Sequence, residues 1–450
     1  MWSVEDLQLS VDAGEIDTVL LAMVDMQGRL QGKRLHARYF LDEVLSHGSE
    51  ACNYLLAVDV EMNPVDGYAM SSWSTGYGDF VLQPDMDTLR PVPWLPGTAL
   101  VMSDVTLQDG APVYASPRQI LRKQLDRLAE RGLTAYVGTE LEFCVFHDSY
   151  DEAQRAGYRN LTPVNGYNVD YSLLGTGRVE PLLRAIRLGM AGAGLSPESA
   201  KGECNLGQHE IAFRYDEALV TADQHAIYKH SSKEIADQHD MSLTFMAKPN
   251  QREGNSCHIH FSLRDGAGRP VMADAQQPDQ LSTLGRRVLA GMLAGTVELS
   301  TLLAPNINSY KRYQAGSFAP TALRWGRDNR TCALRLVGQG SGLRVEHRAP
   351  GGDVNPYLAI AALVAAALHG IDNELELEPE FVGNAYADST APRMPHTLRD
   401  AVMRWESSAL ARDAFGDEVV EHYGHAAHVE LAAFDAAVTD WELARGFERL

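Results

Sequence analysis

The stretch Gly138-Thr139-Glu140-Leu141-Glu142-Phe143-Cys144-Val145-Phe146 places two acidic residues inside an otherwise apolar run. The run has the length and composition of a buried β-strand, in which successive side chains point to opposite faces. Glu140 and Glu142 therefore share one face, about 7 Å apart, while Leu141 and Phe143 share the other. Two carboxylates on a core strand repel each other and lose hydration. The pattern predicts a compensating cation near this face.

The chain is acidic and of ordinary globular composition, with 45% hydrophobic and 22% charged residues. Because its 450 residues exceed one ordinary core, we expect two domains. The formal net charge of −21 disfavours nucleic acid and anionic membranes as partners. It is compatible with cationic ligands or divalent metals.

Cysteine usage and apolar stretches predict a soluble, cytoplasmic protein with no membrane partner. The N-terminus has no apolar signal core. The longest apolar stretch, Tyr357 to Leu368, is about twelve residues, which predicts a buried helix rather than a membrane span. Five scattered cysteines without a Cys-x-x-Cys pair indicate a reducing compartment; they are Cys52, Cys144, Cys204, Cys257 and Cys332.

The pattern along the chain predicts an α+β protein with a β-rich N-terminal domain, residues 14–107, and a large catalytic domain, residues 108–450. Residues 16–36 read as a hairpin with a turn at Asp25–Gly28. Ser116 and Pro117 predict a helix start, and Gly132 its end. Later strands are expected at 134–146, 207–215, 256–263, 332–337 and 343–349, and later helices at 180–194, 220–239, 278–303, 355–371, 396–410 and 425–447.

Three further segments place charge among apolar residues. Glu203 precedes an apolar strand that contains Glu210, a second strand carries His258, His260 and Ser262 on one face, and a third carries Arg344, Glu346 and Arg348 on one face. Carboxylates with imidazole suit Mg²⁺ or Mn²⁺. The arginines suit phosphate or carboxylate, and the combination is typical of phosphoryl transfer.

Each segment alone has a structural explanation. Glu140 and Glu142 could be solvated carboxylates of an edge strand or part of an ion pair. His258 could be a hydrogen-bonded core histidine, and Arg344, Glu346 and Arg348 a surface ion-pair ladder. Their combination in apolar contexts favours a functional site.

Seven motifs together resemble the glutamine synthetase family, from about residue 14 to the C-terminus. They are Gly138-Thr139-Glu140-Leu141-Glu142-Phe143, Gly207-Gln208-His209-Glu210, Gly254 to Ser262, Asn308 to Arg312, Asn329-Arg330, Arg344 to Arg348, and Asn355 to Leu358. The resemblance implies a glutamine synthetase-like fold, with an N-terminal β-grasp domain and a catalytic domain that has a curved antiparallel sheet and flanking helices.

The resemblance also implies residue roles. Glu142, Glu203 and Glu210 match ligands of a first metal beside the substrate, and Glu140, His258 and Glu346 match ligands of a second metal beside the nucleotide. Gly254, Arg312 and Arg348 match positions that hold glutamate. Arg330, Arg335 and Arg344 match the clamp around the transferred phosphoryl group, with Arg330, Arg335 and Arg312 as the catalytic set. Tyr215, His260, Ser262, Arg335 and Arg344 match nucleotide-side positions.

Family members use ATP and two to three Mg²⁺ or Mn²⁺ ions to phosphorylate the γ-carboxylate of glutamate, which a nitrogen nucleophile then attacks. They assemble as homo-oligomeric stacked rings, commonly dodecamers, with active sites between neighbouring subunits. The resemblance implies the same substrates, cofactors and assembly here.

The chain departs from ammonia-using members at the loop after Arg312. The position of the glutamate that helps to deprotonate ammonium aligns with Phe318, and no Asp-Gly-Ser-Ser run exists in the N-terminal domain. Asp59, Asp66 or Glu253 could supply the missing carboxylate.

Exchanging a carboxylate for an aromatic ring removes a base and adds an apolar wall, which suits an amine with carbon atoms to bury. We therefore predict a glutamate–amine ligase, similar to family members that use polyamines such as putrescine, or ethanolamine. Glutamine synthesis is the alternative, and a catalytically inactive structural or regulatory protein is a third.

Overall fold

The computed structural model describes residues 2–450 and contains two β-sheets with flanking helices. Within these residues the strands are β1 (Thr18–Val24), β2 (Leu30–His36), β3 (Ser49–Cys52), β4 (Asp79–Pro84), β5 (Arg90–Pro91), β6 (Thr98–Thr106), β7 (Leu133–Phe146), β8 (Pro197–Gly202), β9 (Gln208–Phe213), β10 (Asp216–Glu217), β11 (Ser242–Thr244), β12 (Cys257–Asp265), β13 (Trp325–Arg327), β14 (Leu334–Val337) and β15 (Arg344–His347).

The α-helices range in length from three to 20 residues. They are α1 (Val4–Asp12), α2 (Ala37–Tyr39), α3 (Leu45–His47), α4 (Pro117–Ala129), α5 (Tyr150–Arg155), α6 (Leu173–Gly177), α7 (Glu180–Gly192), α8 (Ala218–Asp237), α9 (Thr283–Glu298), α10 (Ser300–Leu303), α11 (Pro356–Asp372), α12 (Leu398–Ser407), α13 (Ala409–Phe415), α14 (Asp417–Ala436) and α15 (Asp440–Gly446). A π-helical turn spans Phe40–Val44, and short 3₁₀ turns include Ser309–Arg312.

The first sheet has the order β2-β1-β6-β4-β3, with β5 also paired to β6. The predicted hairpin is β1 and β2, whose register runs from Thr18 opposite His36 to Val24 opposite Leu30. Strand β1 runs parallel to β6, whereas the other pairs are antiparallel. The predicted division at residue 108 falls between β6 and α4 and stays a prediction.

The second sheet is built around β7, the strand that carries Glu140 and Glu142. Its order is β13-β14-β15-β12-β7-β9-β8, and β10 and β11 also pair with β7. All pairs are antiparallel except β13 with β14, a local departure from the expected antiparallel sheet. Leu141 and Phe143 are buried in the core, as the alternation predicts.

Helix α11 contains the apolar stretch predicted to be a buried helix, and most of its residues are buried. It packs against α9 and α4. A Cβ atom on Gly370 would lie 2.0 Å from the carbonyl oxygen of Arg287, so the contact with α9 requires glycine there. Asn355 caps α11 by accepting from the N–H of Tyr357, and its amide donates to the carbonyls of Asp25 and Met26, which ties the β1–β2 turn to the helix.

Several predicted boundaries were wrong. The helix expected over 278–303 begins at Thr283, after an N-cap by Ser282, and a second short helix follows the irregular residue Leu299. The helix expected over 425–447 begins earlier, at Asp417, and ends at Ala436 because Thr439 and Glu442 form the capping box of a separate helix. Helix α4 starts at Pro117 as predicted, but the Ser116 side chain makes no capping hydrogen bond. No helix among residues 2–450 has both the length and the apolar character needed to cross a membrane.

Candidate active site

Strand register brings the charged residues of β7 opposite those of its two neighbours. Glu142 lies directly across from Glu210 on β9, and Glu140 lies across from His258 on β12. On the far side of β12, His260 lies across from Glu346 on β15. Since cross-strand partners on one face have Cβ atoms about 5 Å apart, the sheet itself assembles the polar side chains into clusters.

The first cluster consists of Glu142, Glu203 and Glu210, whose carboxylate oxygens lie within 4.8 Å of one another. Glu203 reaches it from the residue after β8, and Lys201 of β8 forms an ion pair with Glu203. One oxygen of Glu142 accepts hydrogen bonds from the backbone N–H of Ser256 at 2.7 Å and from the amide of Gln208 at 3.0 Å. Three carboxylates thus face one ammonium group.

Burial and mutual repulsion raise the pKa values of the carboxylates in the first cluster. Burial, with the charge of Glu203, raises the pKa of Glu142 to about 8. Burial also raises the pKa of Glu203 and Glu210, although Lys201 opposes the shift at both. A divalent cation here would replace the missing positive charge and restore the ionised carboxylates.

The second cluster consists of Glu140, His258 and Glu346 and also has its ligand atoms within 4.8 Å of one another. Nδ1 of His258 lies 3.4 Å from an oxygen of Glu140 and 3.4 Å from an oxygen of Glu346. Its Nε2 is buried without a hydrogen-bond partner. Burial lowers the pKa of His258 to about 4, so its imidazole is neutral at neutral pH and able to bind a metal.

Protein cations surround the second cluster. Arg335 donates to Glu346 at 2.8 Å, and Arg348 forms an ion pair with the same carboxylate. Nε2 of His260 donates to Glu140 at 2.9 Å while its Nδ1 accepts from Nε of Arg344 at 3.1 Å, which fixes the tautomer. Burial acts to raise the pKa of Glu140, but the histidine hydrogen bonds prevail and hold this pKa well below its ordinary value.

Both clusters open into one cavity of about 420 Å³, the reaction cavity. Ser317 and Phe318 lie at its wall, and Phe318 has a left-handed backbone conformation with φ of 59° and a side chain that is 53% exposed. The wall also holds most of the residues that the resemblance assigns to glutamate and phosphate; these are Gly254, Arg330, Arg335 and Arg348.

A second cavity of about 320 Å³, the nucleotide-side cavity, lies on the other side of Glu140, which lines both. It is lined by four of the five residues that the resemblance places on the nucleotide side, Tyr215, His260, Ser262 and Arg344. The guanidinium of Arg264 lies 4.1 Å from the ring centroid of Tyr136 and donates to the hydroxyl of Tyr215 at 3.0 Å. These planar groups suit an aromatic base.

Arg312 does not reach the reaction cavity. Its guanidinium is 1% exposed and donates to the carbonyls of Ala349 and Arg348 and to the hydroxyl of Ser256. Its aliphatic stem packs behind Gly254, where a Cβ atom would lie 2.8 Å from Cγ of Arg312. The structure therefore places it as a buried brace of the wall.

The sequence pattern did not single out several residues of the cavity. Lys201 lies two residues before Glu203 and Gln208 two residues before Glu210, spacings that put each pair on one strand face and could have been noticed. Tyr171, 70% exposed with φ of 52°, lies at the wall beside Asp170, and the ammonium of Lys201 lies 4.8 Å from its ring centroid. Their loop has no periodic pattern.

The three acidic residues considered for the amine are separated. Glu253 lines the reaction cavity. Asp59 lines a different cavity and is bonded within its own loop by Asn63, and the Asp66 carbonyl accepts from His425. Neither aspartate reaches the reaction cavity of its own chain.

The donor sets fit the predicted ions. The first cluster offers oxygen only, and the second adds one imidazole nitrogen, which is the chemistry expected for Mg²⁺ or Mn²⁺. The raised pKa values of Glu142 and Glu210, and the position of Nδ1 of His258 at 3.4 Å from both Glu140 and Glu346, indicate that cations belong here.

Known proteins share this architecture. Gamma-glutamylethanolamide synthetase GlnA4 of Streptomyces coelicolor is 66% identical, covering 99% of this chain and 96% of that protein. Glutamate–isopropylamine ligase of a Pseudomonas species is 39% identical, covering 97% and 96%. A solved GmaS/ADP complex matches with a TM-score of 0.86 at 26% identity, over 98% of this chain and 99% of that one.

The sequence model described as "Glutamine synthetase, catalytic domain" matches residues 114–446. The glutamine synthetase-like fold expected from the seven motifs is confirmed by these matches. Each carboxylate cluster includes one glutamate of the central strand β7, and the relatives align nearly from end to end. The chain therefore belongs to the glutamine synthetase family.

Proposed function

We propose that this protein is an ATP-dependent ligase that joins the γ-carboxylate of L-glutamate to a small organic amine. The γ-carboxylate attacks the γ-phosphorus of ATP, releasing ADP and forming γ-glutamyl phosphate. The amine nitrogen then attacks the acyl carbon, phosphate leaves, and the nitrogen loses a proton. The observation that carries this proposal is a single cavity. It is lined by two clusters of candidate metal ligands, by several arginines and by aromatic side chains.

The two clusters would hold divalent ions. Glu142, Glu203 and Glu210 would bind one, and Glu140, His258 and Glu346 the other, in a set of two to three Mg²⁺ or Mn²⁺ ions. Such ions, when bound, neutralise phosphate and carboxylate charge.

The arginines of the wall are placed to stabilise charge in the phosphoryl transfer. Arg330 is exposed at the reaction cavity, and Arg335 and Arg348 reach it from β14 and from the residue after β15. Their fixed guanidinium groups match phosphate and carboxylate oxygens. Gly254 lines the cavity, and it allows Ala247 and Arg312 to pack closely behind the wall, because a Cβ atom there would lie 2.3 Å from the carbonyl oxygen of Ala247.

The cavity wall favours an amine with carbon atoms. Phe318 and Tyr171 present aromatic rings there, and residues 313–320 contain no carboxylate. Burying the carbon atoms of ethanolamine or isopropylamine against such rings contributes about 0.8 kcal/mol per methylene. The names of the 66% and 39% identical relatives, an ethanolamide synthetase and an isopropylamine ligase, support the same class.

Glutamine synthesis is the second candidate. Glu253 and Asp170 line the reaction cavity and could hold ammonium in place of the carboxylate that is absent at Phe318. Relatives named glutamine synthetase, such as that of Thermococcus kodakarensis at 31% identity, support this candidate.

We further propose that the protein works in the cytoplasm as a homo-oligomer of stacked rings, a dodecamer, as the family resemblance implies. In such a ring the N-terminal segment of a neighbouring copy would contribute to the reaction cavity. Asp59 and Asp66, which do not reach the reaction cavity of their own chain, could serve that of a neighbour.

The decisive experiment is phosphate release from ATP with L-glutamate, Mg²⁺ and one nitrogen nucleophile at a time: ethanolamine, isopropylamine, putrescine or ammonium. We expect one of the organic amines to give the highest kcat/KM and a γ-glutamyl amide detectable by mass spectrometry. A highest kcat/KM for ammonium would establish glutamine synthesis instead. No amine-dependent release with any of them would indicate an inactive relative.

The matched variants are Glu142→Ala and Glu421→Gln. Glu142 belongs to the first cluster, whereas Glu421 is exposed on α14. We expect the first substitution to abolish phosphate release and the second to leave it unchanged.

A further inference from the structure

A separate cavity of about 270 Å³, the junction cavity, lies between the first sheet and the helices of the catalytic part. The β1–β2 turn and the segment 58–68 form one side, and α8, α11 and α14 the other. No residue lines both this cavity and the reaction cavity.

Two lysines on α8 form its basic side. The ammonium groups of Lys229 and Lys233 lie 5.7 Å and 5.9 Å from the ring centroid of Phe245. Lys229 donates only to the carbonyl of Val354, at 3.1 Å, and neither lysine forms an ion pair with any of residues 2–450. The third cation, Arg29, is engaged by the buried carboxylate of Asp25.

The surroundings disfavour the charge of both lysines. Burial and the proximity of Lys233 lower the pKa of Lys229 to about 8. Burial and the nearby Arg29 lower the pKa of Lys233. Asp353 and Asp25 oppose the shift at Lys229 without forming an ion pair with it. Two ammonium groups beside one aromatic ring, without an ion pair to any of residues 2–450, form a site for an anion.

The acidic side lies on α14 and on the segment 58–68. Glu430 forms no ion pair or hydrogen bond with the described part of the chain, and burial together with Asp59 and Glu61 raises its pKa. Asp59 is held by Asn63, and Asp353, which also lines the cavity, is held by Asn306 and Ser309. Oδ1 of Asp353 is buried without a hydrogen-bond partner among residues 2–450, and Glu430 is the carboxylate on this side that has neither oxygen bonded to these residues.

Opposite charges thus line one cavity without pairing with each other. A ligand that carries both an anionic and a cationic group would satisfy both sides at once. Apolar side chains lie between them; they are Met26, Val58, Val60, Val65, Tyr68, Met246 and Leu302. The volume of about 270 Å³ is near the lower end of the range for small-molecule sites, roughly 300–1,000 Å³.

We propose that the junction cavity binds a free zwitterionic α-amino acid with an apolar side chain. The carboxylate of the ligand would contact Lys229 and Lys233, its ammonium would contact Glu430, and its side chain would pack against the apolar residues. Phe245, which lies near both lysines, also packs against Phe143 of β7, with ring centroids 5.6 Å apart. Phe143 follows Glu142 in the sequence, so Phe143 connects this wall of the cavity to the first cluster.

The test is isothermal titration calorimetry of the full-length protein, with saturating L-glutamate so that the reaction cavity is occupied. The probes are L-leucine, L-methionine and L-phenylalanine. Two analogues of leucine carry one charge each: 4-methylpentanoate lacks the ammonium group, and 3-methylbutylamine lacks the carboxylate. We expect at least one amino acid to bind, and its single-charge analogue to bind at least about tenfold more weakly.

The variants Lys233→Gln and Glu430→Gln should each weaken amino-acid binding by about tenfold or more. Lys123→Gln on α4 and Glu421→Gln on α14 are the matched controls, because both residues are exposed and lie outside the cavity. Thermal unfolding of all four variants checks that they fold.

Four results would overturn the proposal. They are the absence of binding by all three amino acids, equal binding of leucine and 4-methylpentanoate, unchanged binding in both charge variants, and a structure of the assembled protein in which a neighbouring copy fills the cavity. None of them bears on phosphate release, so the ligase proposal stands or fails separately.

Discussion

The substitution Glu142→Gln should stabilise the metal-free protein. With saturating divalent metal, the same substitution should make the protein less stable than wild type. The Glu142 side chain is 7% exposed, and its oxygen accepts from Ser256 and Gln208. The amide oxygen of glutamine can accept the same two hydrogen bonds, so the substitution removes a charge and a metal ligand while it keeps the shape. Any change in stability then reports the charge of the cluster.

The magnitude follows from the raised pKa. Glu142 titrates near 4.5 when unfolded and, mainly through burial and Glu203, at about 8 in the metal-free folded protein. Between these values the folded protein binds more protons than the unfolded chain, so its stability falls as pH rises. At about 1.4 kcal/mol per pH unit, this group alone removes roughly 3 kcal/mol between pH 4.5 and 7. Because Glu203 and Glu210 share the proton, this value is an upper bound.

The assay is urea denaturation in EDTA at pH 5, 6, 7 and 8, with wild type, Glu142→Gln and the surface control Glu421→Gln. At pH 5 the three proteins should agree closely. By pH 8 the Glu142→Gln variant should be more stable by about 1–3 kcal/mol. With saturating Mg²⁺ the order should reverse, since only wild type retains all three ligands and gains binding free energy. If the unfolding free energies of wild type and Glu142→Gln changed with pH in the same way in EDTA, the inferred destabilisation by the ionised Glu142 carboxylate would be refuted.

Three further outcomes are expected. Phe318→Glu should raise kcat/KM for ammonium relative to ethanolamine by about tenfold or more through a charge-assisted bond, with Phe318→Leu as the apolar control; an unchanged ratio would remove that loop from nucleophile selection. His258→Ala should increase the Mg²⁺ concentration needed for half-maximal phosphate release by at least tenfold, and an unaltered requirement would contradict the second cluster. Tyr215→Ala should raise KM for ATP by about tenfold while KM for glutamate stays constant, because aromatic stacking contributes about 1–3 kcal/mol.

The charged strands were predictable because charge in an apolar strand is conspicuous. The alternation on β7 placed Glu140 and Glu142 on one face, and the family motifs grouped the same six residues that the structure brings within ligand distance. The family resemblance and the fold class are confirmed by the match over residues 114–446 and by the solved structures. The individual roles of the site residues stay predictions.

Other features depend on tertiary contacts that no local pattern contains. Arg312 was expected to bind glutamate, but its guanidinium donates to the backbone carbonyls of Arg348 and Ala349, the two residues after β15. Lys201 follows no recognisable motif, and its position opposite Glu210 arises from the register of β8 with β9. The end of α14 at Ala436 was missed because a capping box competes with an apolar pattern that continues past it.

The charge balance of the two clusters indicates an order of metal binding. Among residues 2–450, Lys201 is the only cation that forms an ion pair with Glu142, Glu203 or Glu210, which leaves these four groups a formal charge of −2 when all are ionised, the complement of one divalent ion. The second cluster has two carboxylates, yet Arg335 and Arg348 already contact Glu346, so its formal charge is near zero. A cation in the second cluster gains little until phosphates supply negative charge.

The first metal should therefore bind the free protein, and the second should bind together with ATP. Calorimetric titration of Mg²⁺ with and without a non-hydrolysable ATP analogue distinguishes this order from two equal sites, since equal sites would both fill in the absence of nucleotide.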